Sequence, residues 1–390
     1  MPNLVDDVGT GGRPLRVGMI GGGKGSFFAG VHRAAMRLAG RFEIVAGVFS
    51  STPSVSREAG VALGVPGDRI YPTFTAMAAG EVRRSDGIDL CVIVTPNHLH
   101  YEPCRIFLEA GIPIVCDKPL VNASAEAREL VSLADRHDTF AAVTYTYTGY
   151  PMVRDARSRV RDGEIGDVKF LYVEYLLEWL ANDPSKIGKG GIWRGDPAKA
   201  GLTGALGDVG THAFNILEFV SGMRCTAVNA NLQNTVAGFG LDDTDVVQLK
   251  FGDDAQGLLW CSLAAPGHRN GLRFKIVGTK GTLEWCQEQP ETLHLHRMAQ
   301  ADLIYRRGGS DMTEDGMSCV SLPAGNPEAY LEALAVLYAD YAKALLSGRD
   351  WRKSLRVPLT DLREGLRGVV LSEVCLQSST AQKWEAFPDA

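Results

Sequence analysis

Leu15 to His32 reads LRVGMIGGGKGSFFAGVH. The opening run, Leu15 to Ile20 interrupted by Arg16, has the composition of a buried parallel strand. Glycines 21, 22, 23 and 25 follow, and Phe27 to Leu38 can form a helix. Strand, glycine turn and helix are the context a dinucleotide fingerprint requires. Glycines let the chain turn tightly and approach a pyrophosphate, whose charge the first N–H groups of the helix can hold. Gly21, Gly23, Lys24, Gly25 and Ser26 are therefore the first expected cofactor contacts. Ser26 occupies the place of the third glycine, so the motif alone also suits an ordinary glycine-rich loop.

Outward from this stretch, apolar runs alternate with helical segments. Phe42 to Phe49 (FEIVAGVF) reads as a second buried strand, ending in Ser50, Ser51 and Thr52, with Arg57 beyond. An acid at this point would bind a ribose 2′-hydroxyl, and a basic group would accommodate a 2′-phosphate. Ser50, Ser51 and Arg57 therefore lean toward NADP over NAD, unless the serines simply cap the helix that holds Ser56 to Leu63. Ile88 to Val94 is a third strand, followed by Thr95-Pro96-Asn97-His98-Leu99-His100 and a helix over Glu102 to Ala110. Ile112 to Cys116 ends in Asp117-Lys118-Pro119. Ala123 to Arg136 forms an amphipathic helix, and Phe140 to Tyr147 a further strand. This alternation predicts a doubly wound parallel sheet covered on both faces. Ligands bind beyond the carboxyl ends of such strands, where the glycine turn, the loop 95–100 and Asp117-Lys118 all fall. Thr95, Pro96, Asn97, His100, Asp117 and Lys118 join the expected cofactor contacts.

The totals narrow the class. A chain of 390 residues with 45% hydrophobic and 22% charged residues suits two globular domains. A net charge of −6 gives no electrostatic support to nucleic-acid binding. Eight scattered cysteines without a CxxC pair point to buried free thiols and a reducing compartment, with no metal site. No run of 18 apolar residues is present, so no membrane association is expected. Met1 to Pro14 is a polar tail without the features of a signal peptide, and a cytoplasmic location is expected.

The fingerprint closing in His32, then VIVTPNHLH, VCDKPL, Trp193-Arg194 and GALGDVGTHAFNI, together resemble the glucose–fructose oxidoreductase / inositol dehydrogenase / MocA family along the whole chain. The resemblance implies an α/β protein. An N-terminal Rossmann domain (15–150) would precede a C-terminal α+β domain (151–390) built on a large open, mainly antiparallel sheet. It implies oxidation of a secondary hydroxyl of a sugar, glycoside or cyclitol, or the reverse reduction, with NAD or NADP. The family's lysine maps onto Lys118, its later aspartate and histidine onto Asp208 and His212, and its nicotinamide-side loop onto 95–98. Three features depart from the pattern. Asp117 replaces a glutamate, the glycine loop carries about three extra residues including Phe27 and Phe28, and tyrosines 145, 147 and 150 stand where an arginine is common.

Beyond Pro151 to Val160, a helix, the pattern changes. Val168 to Tyr175 alternates like a half-buried strand, and Asn182 to Lys199 reads as a long loop. Short strands at 228–234, 246–251, 257–263, 272–277 and 282–285 form an antiparallel meander. Its uncovered face predicts a homodimer or homotetramer. Residues 301–326 read as an irregular excursion, and 327–346 and 360–377 as helices. A helix over 208–218 would put Asp208 and His212 on one face, within touching distance. From the residues alone, Asp208 also suits a helix N-cap, His212 a core position and Lys118 the surface.

Dehydrogenation of a carbinol needs an acceptor for the hydroxyl proton, and a neutral histidine can serve. His212 is the candidate base, and Lys118, expected beside the developing alkoxide to stabilise its charge and relay the proton, competes with it for that role; Asp208 would bind a neighbouring hydroxyl and orient the pair. Tyr147, Tyr150, Trp193 and Arg194 are expected on the substrate wall, although each suits a core position equally. A non-catalytic dinucleotide-binding sensor or scaffold, and a reductase of another carbonyl or imine, are the alternatives.

Overall fold

A computed structural model describes residues 12–181, 193–348 and 351–388. Most of the expected N-terminal tail and of the loop 182–199 lies outside the described residues.

Five parallel strands form the first sheet: β1 (Leu15–Ile20), β2 (Phe42–Val48), β3 (Leu90–Ile93), β4 (Ile114–Cys116) and β5 (Ala141–Val143), in the order β2-β1-β3-β4-β5. Five helices cross between them: α1 (Phe27–Leu38), α2 (Pro53–Ala62), α3 (Phe74–Glu81), α4 (Tyr101–Glu109) and α5 (Ser124–His137). All four residues of β3 are buried, as a strand covered on both faces requires. The chain leaves β1 toward one edge and β3 toward the other. The switch point, where a crevice opens, thus lies between the glycine turn after β1 and the loop after β3.

The run 140–147 is a strand only as far as Val143; Thr146–Gly149 is a 3-10 turn. Two contacts end the strand. Thr144 gives its hydroxyl to Asp117 (2.8 Å), and Thr360 closes the edge by accepting from Val143 N at its carbonyl (2.9 Å) and donating its hydroxyl to Val143 O (2.7 Å). The tyrosines that follow are redirected into the second half of the molecule.

After α6 (Pro151–Arg161) the chain builds a nine-stranded sheet from β6 (Val168–Leu176), β7 (Cys225–Gln233), β8 (Thr244–Phe251), β9 (Ala255–Ser262), β10 (Gly271–Gly278), β11 (Gly281–Cys286), β12 (Thr292–Arg297), β13 (Leu303–Arg306) and β14 (Glu385–Ala386). The order is β13-β12-β11-β10-β6-β9-β8-β7-β14. Every pair is antiparallel except β6 with β9. Three of these strands went unread, the two-residue β14 among them. TLHLHR alternates with Leu293 and Leu295 inward, and β13 sits inside the expected excursion.

Helices cover one face of this sheet. The helix Thr211–Ser221 is buried along its length between the sheet and its neighbours, consistent with a sequence apolar on nearly every side. The helix Tyr330–Ser347 returns to the first sheet. Its Leu334, Leu337, Tyr338 and Tyr341 form one core with Val17 and Met19 of β1, Ala35 and Met36 of α1, and Trp351. Among the described residues no helix is long and apolar enough to cross a membrane.

Candidate active site

The glycine turn has the geometry its composition requires. Gly21, Gly22 and Gly25 take φ of 88°, 85° and 87°, a region L side chains avoid. A Cβ on Gly21 would lie 2.9 Å from the Val94 carbonyl oxygen, and one on Gly23 2.5 Å from that of Phe49. α1 then starts from an extended Ser26 that makes no side-chain cap, with no acidic residue in the first turn. Its opening N–H groups have no side-chain acceptor to compete with an anion. The space in front of Gly25 is open. Side-chain-free backbone, open space and uncapped donors fit a dinucleotide pyrophosphate.

This turn borders a cavity of about 980 Å³ between the two sheets. Of the residues expected from sequence, Gly25, Ser26, Thr95, Pro96, Asn97, Asp117, Lys118, Tyr147, Trp193, Arg194, Asp208 and His212 line it. Gly21, Gly23 and Lys24 shape the turn behind the wall. Ser50, Ser51 and Arg57 lie outside the wall, at the end of β2 and on α2. The serines do not cap α2. Thr52 is its N-cap, without a side-chain bond, and the Ser50 hydroxyl accepts from Thr52 N (3.1 Å).

Two expectations are corrected. His100 does not line the cavity. It is buried, with Nδ1 2.8 Å from the Pro119 carbonyl oxygen and Nε2 2.8 Å from that of Thr95, and so it ties the loop after β3 to the turn after β4. Tyr150 is also absent from the wall. The 3-10 turn carries it into the core, stacked on Tyr147 with centroids 6.0 Å apart and 5.2 Å from Trp285.

Lys118 and Asp208 meet across the crevice. Lys118 Nζ donates to Asp208 Oδ1 at 2.8 Å and to the Asp208 carbonyl oxygen at 2.5 Å. Arg194 Nε stands 3.4 Å from Oδ2. Burial pushes the Asp208 carboxyl up, but Lys118 and Arg194 outweigh it and hold the group well below its ordinary value. The expected contact between Asp208 and His212 does not form. Residues Leu206–Gly210 are a π-turn, and the α-helix begins at Thr211. The wider turn directs the carboxylate toward the two cations instead. Such π-turns recur at functional sites.

His212 sits among ring edges and faces. Tyr147 lies 5.1 Å away at 88°, Tyr145 5.5 Å away at 87° and Tyr175 6.2 Å away at 60°. Its Nδ1 is buried without a partner, which leaves Nε2 to face the cavity. Burial first, then the Lys118 charge, push this histidine well below its ordinary value, so it stays neutral.

Several wall residues escaped the sequence. His32 places Nδ1 2.7 Å from the Tyr338 hydroxyl and Nε2 3.9 Å from Asp117 Oδ2. Burial lowers its basicity although Asp117 opposes this. Asp117, one methylene shorter than a glutamate, turns Oδ1 back to accept from Lys118 N (2.9 Å) and Thr144 (2.8 Å). Tyr175, Trp179, Asn270 and Tyr330 complete the far wall. A pattern signalled only Tyr175, through the alternation along β6.

Comparison with known proteins agrees with this architecture. Residues 15–145 match the family model described as an oxidoreductase family with an NAD-binding Rossmann fold, and 153–284 match the GFO/IDH/MocA C-terminal domain. The chain is 32% identical over 382 residues to the uncharacterized oxidoreductase YfiI of Bacillus subtilis, covering 96% of this chain and 97% of that one. It is 25% identical over 327 residues to levoglucosan dehydrogenase of Pseudarthrobacter phenanthrenivorans, covering 76% and 79%. An inositol dehydrogenase homolog from Azotobacter vinelandii, solved with NAD+, superposes with a TM-score of 0.91 at 30% identity, covering 96% of this chain and 98% of that one. The chain belongs to the GFO/IDH/MocA family of NAD-binding oxidoreductases.

Proposed function

We propose that the protein is a dehydrogenase that exchanges hydride between a nicotinamide dinucleotide and a secondary hydroxyl, or the matching ketone, of a neutral sugar, glycoside or cyclitol. The observation that carries this is the convergence of Lys118, Asp208 and His212 on one cavity beside the glycine turn. A bound nicotinamide supplies the two-electron acceptor or donor. Gly25, Ser26 and the 95–97 loop hold the dinucleotide. His212 Nε2, kept neutral by burial, accepts the hydroxyl proton as the carbon gives up its hydride. Lys118 stands at the developing alkoxide and stabilises its charge. Asp208, fixed by Lys118 and Arg194, accepts from a neighbouring hydroxyl and orients the ring. The charged groups on the described wall, Asp117 and Asp208 against Lys118 and Arg194, cancel. This suits an uncharged substrate.

The missing acid after β2, with Ser50 and Ser51 in its place and Arg57 nearby, extends the reading to NADP as well as NAD. The outer face of the nine-stranded sheet, with Phe170, Val246 and Ile304 exposed, is where a homodimer or homotetramer would form. Sedimentation velocity checks the assembly.

The deciding experiment titrates the protein with NADH and NADPH by tryptophan-to-nicotinamide energy transfer, then offers inositols, aldoses and anhydrosugars with the preferred oxidised cofactor. Micromolar binding and polyol-dependent reduction are expected. Binding without turnover on any polyol would favour the sensor or scaffold alternative.

A further inference from the structure

Beside His212, three side chains from distant parts of the chain form one hydrogen-bonded row. Tyr147 comes from the 3-10 turn after β5, Tyr175 from the end of β6 and Asn270 from the residue before β10. The Tyr175 hydroxyl donates to Asn270 Oδ1 at 2.7 Å. Its oxygen lies 2.5 Å from the Tyr147 hydroxyl, which must then be the donor. All three line the cavity, and the rings of Tyr147 and Tyr175 flank His212. The backbone of Asn270 is fixed too. Its N–H reaches Glu288 Oε1 (3.3 Å), and its carbonyl accepts from Leu272 N (3.0 Å).

This row has a polarity. With Oδ1 committed to Tyr175, the amide is locked in one orientation, and Nδ2 carries no hydrogen bond among the described residues. The row therefore ends in an oriented N–H donor on the cavity wall, one side chain beyond the Tyr175 that flanks His212. The reacting hydroxyl is served by His212 and Lys118, so this donor meets a different oxygen of the same substrate.

We propose that Asn270 is a specificity-determining residue: its Nδ2 donates to a substrate oxygen other than the reacting hydroxyl, and Tyr147 and Tyr175 position it. The inference rests on the dehydrogenase reading above. The geometry points to a polyol carrying a further hydroxyl or ring oxygen within reach of Asn270. A pocket that hydrogen-bonds such an oxygen discriminates against analogues lacking it.

The test measures kcat and KM, with NAD+ or NADP+, for the best substrate of a panel containing myo-inositol, levoglucosan and common aldoses, and for its deoxy analogues. Asn270→Ala should raise KM at least tenfold while kcat falls less than threefold. Asn270→Asp keeps an acceptor for Tyr175 and removes the donor, so it should behave like Asn270→Ala. The analogue lacking the contacted oxygen should show a wild-type KM already raised and insensitive to either substitution. Tyr175→Phe should raise KM in the same direction by a smaller factor. A wild-type KM in Asn270→Asp would overturn the proposal and leave the residue as a partner of Tyr175 only. Dinucleotide binding with no turnover of any polyol would instead remove the dehydrogenase reading on which it rests.

Discussion

The two walls of the cavity are built by different means. The cofactor wall is local: a glycine turn, a short loop and a strand end, each contributed by a few consecutive residues at the carboxyl edge of one sheet. At its glycine turn the backbone is bare, and a Cβ on Gly21 or Gly23 would press on a neighbouring carbonyl oxygen. The opposite wall is assembled from Tyr147, Tyr175, Trp179, His212, Asn270 and Tyr330, drawn from five separate segments. Under the proposed function, the first wall would present the same chemistry to any ligand with a pyrophosphate, whereas the second, shaped by side chains, would select the substrate.

This division can be broken by experiment. The largest effect is expected at His212. His212→Ala should lower kcat by about 10²–10⁴-fold, the usual share of a positioned base, with NADH affinity within twofold of wild type. A matching loss of NADH binding would erase the division. Lys118 belongs to the first wall by sequence and to the second by contact. Lys118→Ala should cost about 10²–10³-fold in kcat/KM, as loss of an alkoxide-stabilising donor does. A change confined to nucleotide affinity would return it to the cofactor wall. Gly23→Ala tests the reverse. Its Cβ would press on the Phe49 carbonyl at 2.5 Å, and the strain of about 1–3 kcal/mol should weaken NADH binding at least about fivefold. Fluorescence titration reads this directly, and unchanged affinity would show that the turn yields.

The smallest effect is on stability. His32 and His212 are both held below their ordinary value of 6.5 by burial. Below about pH 6.5 the unfolded chain binds protons that the native state refuses, so stability falls as pH drops through that value. Asp208 adds nothing in this window, because its depressed carboxyl loses its contribution only below the ordinary 3.8. The melting temperature of the apo protein should decline between pH 7.5 and 5.5, and His212→Gln should flatten part of the decline. Equal melting temperatures at both pH values in the wild type would contradict the buried, neutral assignment.

The contrast between the walls also explains how far the sequence could be read. The strands of the first sheet were visible as apolar runs, and the turn after β1 as glycines, the residue that positive φ near 85–88° favours. Lys118, Asp208 and His212 came through resemblance. The residues alone allowed a surface lysine, a cap and a core histidine. Their actual relations depend on a π-turn that no periodicity announces. His100 and Tyr150 lie beside residues that line the cavity, yet one side chain is recruited to hold two loops together and the other to fill the core against Trp285. Asn270 has no local signature. Its place follows from the pairing of Gly271 with Leu176 across the sheet, a contact between residues far apart in sequence.

The return of the last helices to the first sheet has a consequence for biosynthesis. Thr360 closes β5 across 217 positions, and Tyr338 meets His32 across 306. At ribosomal rates of roughly 5–20 residues per second, the edge of β5 waits about 10–45 s for its partner. Throughout that interval the nascent N-terminal half carries uncovered apolar surface that the helix Tyr330–Ser347 later buries. A fragment ending at Tyr150 should accordingly bind a hydrophobic dye and precipitate, and the intact chain should depend on chaperones until its final sixty residues emerge.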